Sequence, residues 1–341
     1  MTPLLLAGLA ALAVAAAATR AAIDAGPADA PKSRGLHHRT TPSGGGVAIV
    51  LGFGAGALAF ALQTRFIGGP AVSGAIVLSV LMGLLGAADD VLDLPARFKL
   101  LTQGALALIF CVACARVERL STPFGALPLG PVLGVAGSTL WIIVVSNAVN
   151  FMDGANGLAP GAMVIALAAL GVGGLTHGAV AAGGLAVIGA AAGLGFLPWN
   201  LPGGRIFQGD AGALFSSTLF AALALVACGP SGEGAVSVWF GPTALLPLLT
   251  DVFLTLLARA RRGARLLDAH REHLFQRWLL AKGATHGALS LRIWGLTVLS
   301  SGLAFGIEAA PVWSRSLLFA TGLAASVLGW RRIDRSLRTS G

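Results

Sequence analysis

Long apolar runs, each near the length of a bilayer span and almost free of charge, recur from one end of this chain to the other. Crossing a hydrocarbon core takes about 20 helical residues. Candidate spans fall at 3–18, 44–62, 71–88, 100–115, 131–149, 159–175, 178–197, 213–229, 239–258, 289–307 and 312–330. Eleven such runs in 341 residues leave little chain for anything else. In lipid the backbone polar groups must be satisfied internally, which helices achieve within one segment. The expected fold is therefore all-α: a polytopic membrane helix bundle in one integral membrane domain, 1–341. Composition agrees, with 56% hydrophobic and 11% charged residues; a soluble protein of this size needs far more charge to cover its surface. The 48 glycines suit helices packed closely in lipid. Small residues at 15–19 resemble a signal cleavage site, but the many later spans favour a retained first helix.

Orientation follows from the placement of Lys and Arg in the loops. Arg20, Lys32, Arg34, Arg39, Arg97, Lys99, Arg205 and the arginines from Arg259 to Arg277 all fall on one side, with a tail holding Arg331, Arg332, Arg335 and Arg338. The other side has only Arg65, Arg116 and Arg119, with Arg315 just inside the last span. The N-terminus is thus expected outside and the C-terminus inside. The net charge of +9 reflects this sidedness, which argues against a nucleic-acid partner. Three cysteines make no disulfide framework, and the pair Cys111 and Cys114 lies in an apolar run with no second pair.

The cytoplasmic loops, near 20–43, 89–99, 150–158, 198–212 and 259–288, also gather acids and histidines. Positive-inside topology predicts the basic residues there but not clustered carboxylates; an active site does. The first cluster, GAADDVLDLP at 86–95, carries Asp89, Asp90 and Asp93, then Lys99 and Gln103. An Asp at the centre of a membrane helix costs about 2.5–3.5 kcal/mol, and adjacent acids repel, so a cation or proton compensates. A solvated helix end is the plainer reading. Metal-associated or catalytic use is favoured because Arg97 and Lys99 follow within reach of a phosphate.

The second cluster, NAVNFMDGANGL at 147–158, puts Asn147 and Asn150 on one helix face before a turn at Asp153-Gly154. It reads either as a capped helix end or as a pocket of amides with a carboxylate. In the third, FLPWNLP at 196–202 and RIFQGDAG at 205–212, Asp210 is either an N-cap or a hard oxygen ligand for Mg²⁺, and Phe207 could stack on a base. The fourth, HREHLFQR at 270–277, follows the anchoring run RARRGAR; His270 and His273 with interleaved Arg271 and Arg277 look like donors to diphosphate oxygens. A fifth, TPSGGG at 41–46, follows His37 and His38 and could present backbone N–H groups to an anion. His177 and His286 receive no role, and Asp251, within a span, is expected to bond between helices.

The order GGG, DDVLDLPxxxK, NxxNFMDGxNGLA, NxPxxxIFxGDAG, HREHLxQR resembles the polyprenyl-phosphate N-acetylhexosamine-1-phosphate transferases, over about 42–277. The resemblance implies a UDP-N-acetylhexosamine donor, an undecaprenyl-phosphate acceptor, Mg²⁺ (or Mn²⁺ in its place), and release of UMP. By position it makes Asp89 the acid that activates the lipid phosphate, Asp90 its partner, Asp210 the metal ligand and Asp153 a further catalytic or metal-adjacent acid. Lys99 faces phosphate, Asn200 and Phe207 form the nucleoside pocket, Asn147, Asn150 and Asn156 line the same cavity, and His270, Arg271 and His273 belong to the histidine loop. Asn156 stands where relatives often carry a second Asp, and Ala213 where they carry Ser. The form HREH, rather than tandem histidines, is closer to the branch that starts O-antigen and other surface polysaccharides than to phospho-MurNAc-pentapeptide transferase. A multi-pass protein of the bacterial inner membrane, with its active site facing the cytoplasm, is implied; a homodimer is compatible.

Two other classes make different demands. A DDxxD prenyltransferase of another membrane family requires a second DxxxD cluster on a matching helix, which Asp153 with Asn156 fits poorly. A proton-coupled transporter needs ionisable residues near mid-membrane, where only Asp251 falls.

Overall fold

The computed structural model describes residues 2–25, 28–29, 41–65, 68–265 and 270–339. Helices α1 (Thr2–Ala25), α2 (Gly45–Thr64), α3 (Pro70–Leu92), α4 (Ala96–Ala113), α5 (Gly130–Met152), α6 (Leu158–His177), α7 (Val180–Asn200) and α8 (Gly209–Cys228) follow the expected spans, with α1 running past its expected end at residue 18 to Ala25. Small residues let them approach: Ala7, Ala11 and Ala15 of α1 are fully buried, and a Cβ on Gly52 of α2 would lie 2.5 Å from that of Ala15. Such contacts gain dispersion where lipid offers no hydrophobic drive. At the centre stands α8, buried along 94% of its most apolar stretch.

The ninth expected span is divided into α9 (Phe240–Ala244) and α10 (Leu246–Arg261). Pro247, in the first turn of α10, has no N–H to give and its ring clashes with the preceding turn, so a continuous helix stops there. Ser300 Oγ donates to the Ala244 carbonyl at 2.8 Å, satisfying a group at the break. Ser300 belongs to α12 (His286–Ala309), which follows a short α11 (Leu274–Lys282); α13 (Val312–Thr339) closes the chain. Ten continuous helices among the described residues are long and apolar enough to cross a membrane, and the broken α9–α10 accounts for the eleventh run.

Two short antiparallel pairs complete the fold. Strands β1 (Ala28–Asp29) and β2 (Thr41–Pro42) pair before α2. Between α4 and α5, β3 (Arg119–Thr122) and β4 (Gly125–Pro128) form a hairpin in register Arg119 to Pro128. Trp239 Nε1 donates to Ser121 Oγ at 2.9 Å, tying this hairpin to the start of α9. The polar clusters lie at the other end of the bundle.

Candidate active site

Two carboxylates, 121 residues apart in sequence, meet on one ammonium. Asp89 lies in the last turn of α3, and Pro95 ends the turn that starts α4. Proline fixes φ and suits this entry position, and Lys99 is thereby folded back so that its Nζ lies 2.5 Å from Asp89 Oδ2. The same Nζ is 3.4 Å from Asp210 Oδ2 at the start of α8. Asn150, from the end of α5, donates Nδ2 to that Asp210 oxygen at 3.1 Å. Asp89 Oδ1 also accepts the Leu94 N–H at 2.8 Å.

Asp90 joins α3 to α8 differently. Its Oδ1 accepts the backbone N–H of Asp210 at 2.9 Å and its Oδ2 that of Ala211 at 3.2 Å. A carboxylate at a helix N-terminus satisfies otherwise unpaired donors and meets the positive end of the dipole. The approach needs glycine twice: a Cβ on Gly86 would lie 2.3 Å from the Asp210 carbonyl oxygen, and Gly209 has φ of +63° with Asp90 packed against it.

Asp153 follows α5 directly. Part of the residue is accessible, yet its carboxyl is set deep among protein atoms. Burial pushes it well above the usual carboxylate range; neighbouring Gln208 opposes this in part, while Asp210 and Asp90 add to it. Both amide atoms of Gln208 are buried without a hydrogen-bond partner. Four carboxylates, Asp89, Asp90, Asp153 and Asp210, thus share the region with Lys99 as the cation paired to two of them. Among the described residues no three His, Cys, Asp or Glu side chains form a ready metal cage. Mg²⁺ is commonly held by one or two carboxylates plus substrate phosphates and water; the hard oxygens gathered at Asp153 and Asp210 fit that arrangement.

The remaining expected residues divide. Asn147 donates to Gln103 Oε1 at 2.6 Å and to the Ile143 carbonyl at 2.8 Å. Asn200 is buried; its Oδ1 accepts the Gly157 N–H at 2.5 Å and its Nδ2 donates to the Ile206 carbonyl at 2.8 Å. It therefore clamps the loop after α5 to the loop before α8. Asn156 gives its backbone N–H to His286 Nδ1 at 3.1 Å, a role for His286 that its lone position in the sequence hides. Phe207, partly buried, uses its backbone to tie the start of α2: Gly45 N–H donates to its carbonyl at 3.0 Å. The GGG turn thus packs α2 against α8 instead of offering the Gly45 N–H to an anion. Lys32, Arg34, His37, His38 and Arg39 lie outside the described residues.

The histidine loop adjoins the carboxylates through α5. His273 is buried and its ring stacks on Phe151, centroids 6.0 Å apart, with His270 at 4.9 Å. Burial, aided by His270 and Arg259 and opposed by Asp251, pushes His273 down to about 4. Burial and then Arg259 also lower His270. Both shifts favour the neutral imidazole, which has one N–H to donate. Burial would raise Glu272, but Arg262 and Arg259 pair with it and hold it below the usual range. Arg271 is exposed, whereas Arg277 pairs with Asp334 of α13 at 2.5 Å.

The sequence profile of glycosyl transferase family 4 matches residues 72–228. The chain is 31% identical over 299 residues to a probable undecaprenyl-phosphate N-acetylglucosaminyl 1-phosphate transferase of Bacillus subtilis, covering 86% of this chain and 81% of that one. It is 29% identical over 329 residues to a decaprenyl-phosphate N-acetylglucosaminephosphotransferase of Mycolicibacterium smegmatis, covering 88% and 77%. A phospho-N-acetylmuramoyl-pentapeptide-transferase of Pseudarthrobacter chlorophenolicus is also 29% identical, over 334 residues, covering 82% and 88%. The profile match takes in Asp89, Asp90, Lys99, Asn150, Asp153 and Asp210, which the fold brings to one end of the bundle, and this multi-pass membrane protein belongs to glycosyl transferase family 4.

Proposed function

We propose that this protein transfers N-acetylhexosamine-1-phosphate from a UDP-sugar to undecaprenyl phosphate, giving a polyprenyl-diphosphate sugar and UMP. The reaction takes place at the cytoplasmic face of the bacterial inner membrane and begins a surface polysaccharide such as O-antigen. One observation carries this reading: Lys99 joins Asp89 and Asp210 from separate segments, a charged centre suited to phosphate at the membrane boundary. The names of the relatives, all polyprenyl-linked phosphotransferases or the related pentapeptide enzyme, support the same chemistry.

In the reaction an oxygen of the acceptor phosphate attacks the β-phosphorus of the UDP-sugar, and the bond to the UMP oxygen breaks. Both reactants are anions, so the site has to offset their repulsion. Lys99 supplies one positive charge. Mg²⁺ held by Asp210 and Asp153 would supply more and polarise the diphosphate. Asp89 orients the acceptor or takes its remaining proton, and the neutral His270 and His273 donate to diphosphate oxygens. The polyprenyl tail has room on both flanks of α10. One apolar cavity of about 450 Å³ lies between α10, α11, α12 and α13, and another of about 460 Å³ between α5, α10 and α13.

Asp251 supports this reading over a proton-coupled transporter. Its carboxylate accepts hydrogen bonds from two fixed backbone N–H groups, an arrangement that anchors structure rather than relays protons. The test is an assay of purified protein with labelled UDP-N-acetylhexosamines, undecaprenyl phosphate and Mg²⁺. Lipid-extractable label and UMP release, both abolished by EDTA, are expected. Turnover of UDP-MurNAc-pentapeptide instead of the simple sugars would assign the protein to the peptidoglycan branch.

A further inference from the structure

Asp251 of α10 is 5% exposed and receives four donors. The Leu274 N–H reaches Oδ1 at 2.8 Å and the Phe275 N–H reaches Oδ2 at 3.2 Å. Thr255 Oγ1 donates to Oδ1 at 3.1 Å, and Trp330 Nε1, from α13, to the same oxygen at 3.2 Å. His273 precedes α11 without a side-chain cap of its own, so Asp251 takes the place of an N-cap supplied by another helix. His273 Nδ1, buried with no hydrogen-bond partner, lies 4.0 Å from Asp251 Oδ1.

The segment so anchored reaches the carboxylate site. Phe275 and Gln276 pack on Gly154, where a Cβ would lie 3.1 Å from the Phe275 ring; Gly154 directly follows Asp153. On the outer side α13 braces the same segment. Asp334 accepts from Arg277 at 2.5 Å and from Arg338 at 2.9 Å, and Ser326 donates to Thr250 Oγ1 at 2.9 Å beside Asp251. These polar contacts lie in the C-terminal half of α13, where Asp334 and Leu337 are buried.

We infer that Asp251 is a positioning residue: with Trp330 and Asp334 of the C-terminal helix, it holds His273 and the first turn of α11 against the Asp153 turn. The inference rests on the transferase reading for its catalytic consequence, but the anchoring itself can be measured without turnover.

The experiment uses the full chain in lipid nanodiscs, with Asp251→Asn and the milder Trp330→Phe, which removes one donor and keeps the carboxylate. Hydrogen–deuterium exchange over 270–282 should quicken about tenfold in Asp251→Asn and less in Trp330→Phe, while α6 to α8 exchange as before. Turnover should fall about 10- to 100-fold in Asp251→Asn. In a His273→Gln background the same change should cost less than about twofold, because both act through one ring. Unaltered exchange over 270–282 in both variants overturns the anchoring. Losses that multiply fully in the His273→Gln background overturn the positioning of His273. If the unmodified protein turns over no UDP-sugar, the transferase reading fails, and the exchange data alone decide the anchor.

Discussion

The backbone N–H of Asp210 is held 2.9 Å from the carboxylate of Asp90, across 120 residues of chain. The acid expected to bind metal is therefore fixed in place by the acid beside the expected base. Replacing Asp90 with Ala leaves two N–H groups of the first turn of α8 without their acceptor. A loss of about 1–2 kcal/mol is expected, read as a lower melting temperature in detergent, with turnover reduced by at least tenfold. Asp90→Asn keeps one good acceptor and should fall between.

Lys99 separates two carboxylates. In Lys99→Met, Asp89 and Asp210 face each other without their cation, and the acceptor phosphate loses its partner. Turnover should drop about 100-fold or more, with Lys99→Arg restoring part of it. Steady-state kinetics on both variants check this; wild-type turnover in Lys99→Met would remove the lysine from the mechanism.

Asp210→Asn keeps the side-chain volume and its contact with Asn150 but removes the charge. Turnover two to three orders of magnitude lower is expected, with more Mg²⁺ needed for half-maximal rate. A folded Asp210→Asn protein with an unchanged Mg²⁺ titration would refute the metal assignment.

Gly86 has no space for a methyl group against the Asp210 carbonyl. Gly86→Ala forces α3 and α8 apart, an overpacking that costs about 1–3 kcal/mol. Activity should fall with stability, because the same contact sets the spacing of Asp89 and Asp210. Parallel melts and assays test it.

Acid should destabilise the protein through His273. Its ring is pushed down to about 4 in the fold, against about 6.5 in an unfolded chain. Between those values the unfolded state binds the extra proton, so stability rises with pH there. The contribution is complete above about pH 6.5 and is lost as pH falls toward 4, at no more than about 1.4 kcal/mol per pH unit. His273→Gln should flatten the melting-temperature profile across that window. An unchanged profile would place the acid sensitivity elsewhere.

Much of this was legible in the chain itself. Apolar runs mark the spans because lipid leaves the backbone no alternative, and Asp89, Asp90, Lys99, Asn150 and Asp210 stand out because polar groups at helix ends need partners. Which partner each finds is another matter. Asn200 sits in a motif as conspicuous as that of Asp210, yet both ends of its amide bind backbone. His286 carries no local pattern because its donor lies 130 residues away, and three of the four donors to Asp251 come from segments over 20 residues away. The break at Pro247 was open to view, since proline inside an apolar run interrupts a helix, but hydropathy averages over it.

The Ser300 hydroxyl on the Ala244 carbonyl has a mechanical meaning. A kink whose freed acceptor drew on water would loosen whenever lipid excluded that water. Here a neighbouring helix covers the exposed oxygen, so the elbow between α9 and α10 keeps its angle in dry hydrocarbon and behaves as a fixed bracket for the histidines beyond it.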